Sequence, residues 1–167
     1  FGQFLRGLDW HDLLMGVALS IAFATYVFSM LFTSVASTLF IITIAPFMAA
    51  IIGWVWINEK PHPVTWLAML GAIFGVGIMI GDGIEMGRTL GNLLALLSAL
   101  CFAIMLVLAR RSGKQDVLGG TFLGGFFALL IGFIASIVTG VGLEVTSRDL
   151  GIILFMGAFT IGIGIAF

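Results

Sequence analysis

From Leu13 to Asn58 the chain runs without a single charged side chain. A helix needs about 20 apolar residues, at ~1.5 Å rise each, to cross roughly 30 Å of hydrocarbon. This run is too long for one crossing and long enough for two. Thr33-Ser34 supplies the break, because a hydroxyl there accepts a hydrogen bond from the first free amides of a new helix. Two spans follow, at about 13–32 and 35–57. The apolar runs do not alternate with polar residues at period two, which argues against a membrane barrel.

The rest of the charge is equally segregated. It falls in clusters at Arg6/Asp9/Asp12, Glu59/Lys60, Asp82/Glu85/Arg88, Arg110/Arg111/Lys114/Asp116 and Glu144/Arg148/Asp149. The intervals between clusters predict further helices at about 64–81, 90–109, 118–140 and 150–167. A soluble domain carries roughly 25% charged residues to solvate its surface. Here the figure is 9%, against 61% apolar residues and a mean hydropathy of +1.25. The expected fold is therefore all-α, a polytopic transmembrane helix bundle whose outer solvent is the lipid bilayer.

Several function classes drop out. A net charge of −1 offers no basic patch for phosphates, so no nucleic acid partner is expected. One cysteine, Cys101, permits neither an internal disulfide nor a multi-cysteine metal site. HExxH, GxSxG and GxxxxGK[ST] are all absent. A membrane hydrolase needs a base beside its nucleophile at membrane depth, and no predicted span carries an Asp, Glu, Lys or Arg. No enzyme activity, cofactor or metal is expected.

Basic residues set the orientation. With sides numbered alternately, Arg6, Lys60, Arg110, Arg111 and Lys114 share one face, while only Arg88 and Arg148 lie on the other. Positive charge marks the cytoplasmic side, which puts the 58–63 and 110–117 loops in the cytoplasm. Glu59 and Lys60 then read as interfacial anchors. Helix contacts are expected where glycines recur at four-residue spacing: Gly71/Gly75, Gly77/Gly81 and Gly120/Gly124. Such pairs let backbones approach closely. Packing within the chain is the first reading of these glycines, and a homodimer face the second.

Uncharged polar groups mark a candidate cavity. Thr25, Tyr26, Ser29 and Thr33 share a face of the first helix, as do Ser34, Ser37 and Thr38 on the second. Pro46 removes a backbone donor from that second helix and should kink it or free a carbonyl near Ile42. The fourth helix carries Asn92, Ala95, Ala99 and Phe102 on one stripe. An amide at this depth must find a partner.

From Ala36 to Gly81 the pattern resembles the close of the first half of an EamA-type permease of the drug/metabolite transporter superfamily. The resemblance rests on Ala36, Ser37 and Thr38, mid-helix Pro46, helix-ending Glu59, Trp66, and the Gly71/Gly75/Gly77 helix. Gly91–Arg111 is similar to the opening helix of the second half. Such permeases have ten helices in two five-helix repeats of inverted topology. The resemblance makes 1–88 the C-terminal part of the first repeat and 89–167 the N-terminal part of the second. Six of the ten spans would be present, with further helices expected on both sides.

The resemblance also implies a function. A small organic metabolite or drug-like solute would cross a bacterial inner (plasma) membrane by alternating access. Tyr26, Ser29, Ser37, Thr38, Thr43, Pro46, Asn92 and Phe102 would line its cavity. A non-transporting membrane scaffold or assembly subunit is the alternative. Cavity hydration discriminates the two. Cysteines placed at Ser29 and Ser37 are expected to react with aqueous thiol reagents in a working transporter and to stay protected in a packed scaffold.

Overall fold

The inside of this molecule is small and polar, and its outside is large and apolar. Buried positions include Ser20, Ser29, Thr33, Ser37, Thr38 and Ser98 together with alanines 45, 49, 95, 99 and 103. Leu31, Val55, Leu67, Phe74 and Val138 stand exposed, Val55 to 80%. In water this distribution would aggregate. In lipid it is the expected one, since apolar burial gives helices little drive to associate there and close packing of small residues supplies it. The protein is an integral membrane protein.

The computed structural model describes residues 9–58, 60–80, 89–113, 118–139, 151, 152 and 155. Six helices occur among them: α1 Trp10–Phe32, α2 Val35–Ile42, α3 Ala45–Ile57, α4 Pro63–Ile80, α5 Thr89–Ser112 and α6 Leu118–Thr139. No strand occurs among the described residues. Four stretches are long and apolar enough to span a membrane, namely α1, α2 with α3 taken as one crossing, α5, and Leu118–Val138 of α6. The helix expected over 150–167 lies outside the described residues apart from Gly151, Ile152 and Phe155, which are helical. Residues 1–132 form one compact unit and 133–167 a second. Within the first unit α5 packs on α1, α2 and α3.

Local chemistry explains most helix ends. α1 opens three residues earlier than expected, because the Asp12 carboxylate accepts from the Asp9 backbone N–H at 3.0 Å, one half of a capping box. This start brings a carboxylate into the helix, contrary to the expectation of charge-free spans, and Asp12 is buried. Ser34 caps α2 by accepting from the Ser37 N–H at 3.1 Å. Pro63 opens α4, where its missing N–H costs nothing, and the His62 carbonyl accepts from the Thr65 N–H at 2.8 Å. α3 ends on Asn58 in the left-handed conformation, φ 61°, a common C-terminal stop.

The crossing expected as one helix over 35–57 is two helices joined through Thr43 and Ile44. Pro46 cannot donate to the Ile42 carbonyl, so the ladder tightens just before it. The Ile44 N–H bonds the Ile41 carbonyl at 3.1 Å, three residues back, and the Thr43 N–H is shared between the Leu39 and Phe40 carbonyls.

Close approaches hold the first unit together. A methyl group built on Gly91 would lie 2.6 Å from Thr33 Cβ and 2.7 Å from the Phe32 carbonyl carbon. One on Gly16 would lie 2.6 Å from Leu123 Cβ and 3.0 Å from the Gly124 nitrogen. Gly120 and Gly124 sit in turn against the side chains of Met15 and Leu19, so α1 and α6 meet along a glycine seam. Gly71 and Gly75 differ. A methyl group on either meets nothing within 4 Å, so neither marks a close helix approach among the described residues. Gly77 lies in α4, and Gly81 lies outside the described residues.

Gly16→Val and Gly91→Val are therefore expected to destabilise the full-length protein by about 1–3 kcal/mol through overpacking against backbone. Gly71→Val and Gly75→Val should stay within about 0.5 kcal/mol of the parent. Unfolding of the four variants in detergent checks the contrast.

Candidate functional site

The polar faces read from α1 and α2 meet each other. The C-terminal third of α1, the turn at Thr33-Ser34 and the first turns of α2 bring Ser29 and Thr38 together, with their hydroxyl oxygens 2.8 Å apart. Thr38 Oγ1 also donates to the Ser34 carbonyl at 3.2 Å. With the Thr38 proton so committed, Ser29 is the donor to Thr38. Ser34 Oγ donates to Ser37 Oγ at 2.9 Å. Ser29, Ser37 and Thr38 are fully buried, and each of the hydroxyls of Ser29, Ser34, Ser37 and Thr38 has a partner.

α5 closes the belt. Gly91 lets its backbone reach the α1–α2 turn, and the next residue, Asn92, accepts from Thr33 Oγ1 at 3.0 Å through its amide oxygen. Two turns further along, Ser98 Oγ donates to the Ala22 carbonyl of α1 at 2.8 Å, inside the core. Ala95 lies between these bonds and is wholly buried, and Ala99 and Ala103, equally buried, continue its stripe. Each polar link has small neighbours because a hydroxyl can cross between helices only where the backbones are close.

The other candidate residues lie apart from this belt. Thr43 Oγ1 bonds back to the Phe40 carbonyl at 2.6 Å, and so helps satisfy the turn. Thr25 bonds back to the Ile21 and Ala22 carbonyls. Tyr26 is half-buried, and Phe102 lies at the edge of the α5 stripe, 36% exposed. Glu59 lies outside the described residues. Asp12, Gly16, Gly91 and Ser98 were not singled out by the sequence. The Asp9-x-x-Asp12 spacing at the head of an apolar run was the available signal for the first of them.

Pro46 belongs to a second feature. A groove of about 210 Å³ runs between α3 and α4, with Pro46, Ala50 and Gly53 on one wall and Thr65 and Met69 on the other. Lys60, Pro61 and Arg110 border it where the α3–α4 loop meets the last turn of α5. Beside it the Arg111 guanidinium stands over the Trp56 ring, 5.1 Å from the centroid. Asn92 and Arg110 are about 27 Å apart along α5 at ~1.5 Å per residue. The hydroxyl belt and the groove mouth therefore sit near opposite ends of α5.

The sequence model described as the EamA-like transporter family matches residues 3–81. Over that stretch the chain is similar to the EamA-like transporter family. The matched segment contains α1, α2, α3 and α4, and so holds most of the hydroxyl belt and both walls of the groove. No curated protein and no solved structure matches the chain. The EamA-like match suggests a transporter class, and it falls on helices that carry the polar faces.

The Ser29–Thr38 link can be measured by a double-mutant cycle of Ser29→Ala and Thr38→Val. Hydroxyl pairs in membrane helices couple by about 0.6 kcal/mol and seldom beyond about 1.7. Coupling in that range is expected from unfolding of the two single variants and the double variant.

Proposed function

We propose that this protein moves a small organic metabolite or drug-like solute across the bacterial inner membrane by alternating access, as part of a ten-helix inverted-repeat permease. The observation that carries this reading is the EamA-like match over residues 3–81. The 58–63 and 110–117 loops face the cytoplasm in this reading, supported by the basic residues gathered there. Transporters of inverted-repeat design rock one bundle against another around a midplane site. Here the belt of Ser29, Thr33, Thr38 and Asn92 is closed, and it acts as the gate at the face opposite those loops. Opening exchanges its internal hydrogen bonds for bonds to water or solute. The open Gly71/Gly75 face of α4 is the surface for a homodimer contact.

A second reading, a non-transporting scaffold, draws on one specific observation: the buried hydroxyls already satisfy one another. A permanent belt of this kind would only hold helices together. The two readings separate on function. The full-length chain is reconstituted in proteoliposomes and tested for uptake of amino acids, nucleosides and drug-like cations. The parent should transport at least one class. Asn92→Ala should change its rate by about tenfold, the effect of roughly 1.4 kcal/mol from one lost hydrogen bond. No uptake of any class, with correct folding, favours the scaffold. Uptake that is unchanged in both Asn92→Ala and Tyr26→Phe removes those two residues from the path.

A further inference from the structure

α3 is half of a membrane crossing, with a joint at one end and a tie at the other. The joint is the Thr43–Ile44 turn, where Pro46 supplies no donor to the Ile42 carbonyl. From there Ala49, Ile52 and Trp56 recur at three- and four-residue spacing along one face of α3, while Ala103, Val107 and Arg111 recur every fourth residue on α5. The two rows pair in order. Ala49 meets Ala103 and Val107 in a buried cluster with Ile52 against it. Beyond that cluster the Arg111 guanidinium stands over the Trp56 ring, 5.1 Å from the centroid. The cluster itself is made of alanine and valine, and such apolar contact gains helices little over contact with lipid. The guanidinium–ring contact is of another kind, an attraction of a permanent cation for the face of the ring.

We infer that Arg111 and Trp56 form a latch that holds the far end of α3 against α5. Its release lets α3 swing about the Thr43–Ile44 joint and admits water between the two helices. For its role the latch rests on the transport reading above, in which it is the counterpart of the hydroxyl belt, placed beside the 58–63 and 110–117 loops. Trp56 is half-exposed and Arg111 exposed, so water competes for both partners and the tie is reversible. A cation–ring contact at such a site shifts an open-to-closed ratio about two- to fivefold. The other attachments of this crossing permit the motion. α2 is held separately, by the Ser29–Thr38 link to α1. The Phe47–Trp66 ring contact lies beside the joint, where a swing displaces atoms least. At the latched end Asn58 turns the chain out of α3 in the left-handed conformation.

Val107 can report the motion, because it is wholly buried against α3 one turn before Arg111. Val107→Cys is close in volume to the parent, and in the full-length protein carrying Cys101→Ala a water-soluble maleimide reaches its thiol only when the helices part. Adding Trp56→Leu or Arg111→Gln should raise the labelling rate about two- to fivefold. The two together should raise it no further than either alone, since each removes the same contact. A second reporter, Ser20→Cys, buried on α1, should label at an unchanged rate. Should Trp56→Leu misfold, Arg111→Gln decides alone, its side chain being exposed. A rate at Val107→Cys that stays unchanged in the single variants overturns the latch, as do effects that multiply in the double variant. An equal rise at Ser20→Cys marks general loosening and overturns it too. Labelling needs no solute, so a failed latch leaves the transport reading standing, and absent uptake leaves this test intact.

Discussion

Close approach of α1 and α5 through small residues is the constraint on which the rest of the structure depends. In hydrocarbon a helix gains little by hiding apolar side chains from lipid, so contact area and interhelical hydrogen bonds must hold the bundle. Gly91, Ala95, Ala99 and Ala103 strip one side of α5 almost to its backbone. Only on such a surface can Ser98 reach the Ala22 carbonyl and Asn92 meet Thr33. The same shortness brings Ala103 and Val107 against Ala49, where they nucleate the α3 side of the core with Met48 and Ile52 around them. A larger residue anywhere along this stripe would part the helices and break polar links at a distance from itself.

Much of this was legible in the chain. The charge clusters located the helices to within a few residues, since a charge in the bilayer is costly whatever its neighbours. The hydroxyl at Ser34 located the start of α2, because capping is a local event. What sequence could not supply was choice among equivalent motifs. Gly71/Gly75 and Gly120/Gly124 have the same spacing, but only the second pair sits against another described helix. The deciding partner, Gly16 with Met15 and Leu19 around it, lies about a hundred residues away along the chain. Spacing records which face a residue occupies and says nothing of what stands opposite.

The polar faces show the same limit from another side. Placing Ser29 and Thr33 on α1 and Ser34, Ser37 and Thr38 on α2 followed from helical geometry. Whether those faces looked into water or into each other did not. The Thr33-Ser34 turn decided it by folding α2 back so that Thr38 lands on Ser29. Asp12 is a miss of a different sort. Its carboxylate was counted as a flanking charge, but by taking the Asp9 amide it drew the helix start outward and carried itself inside.

The tight turn at Thr43–Ile44 divides one membrane crossing between two mechanical attachments. α2 is fastened by hydroxyls to α1, while α3 is fastened by alanine packing to the far half of α5 and by the Phe47–Trp66 ring contact, 5.9 Å between centroids, to α4. An unbroken helix would transmit torque from one membrane face to the other. Here the ladder already lacks the Pro46 donor, so the joint bends with fewer hydrogen bonds to break. Substitutions on the α3 side of the joint can therefore shift the wall of the groove while the Ser29–Thr38 link keeps α2 in register on α1.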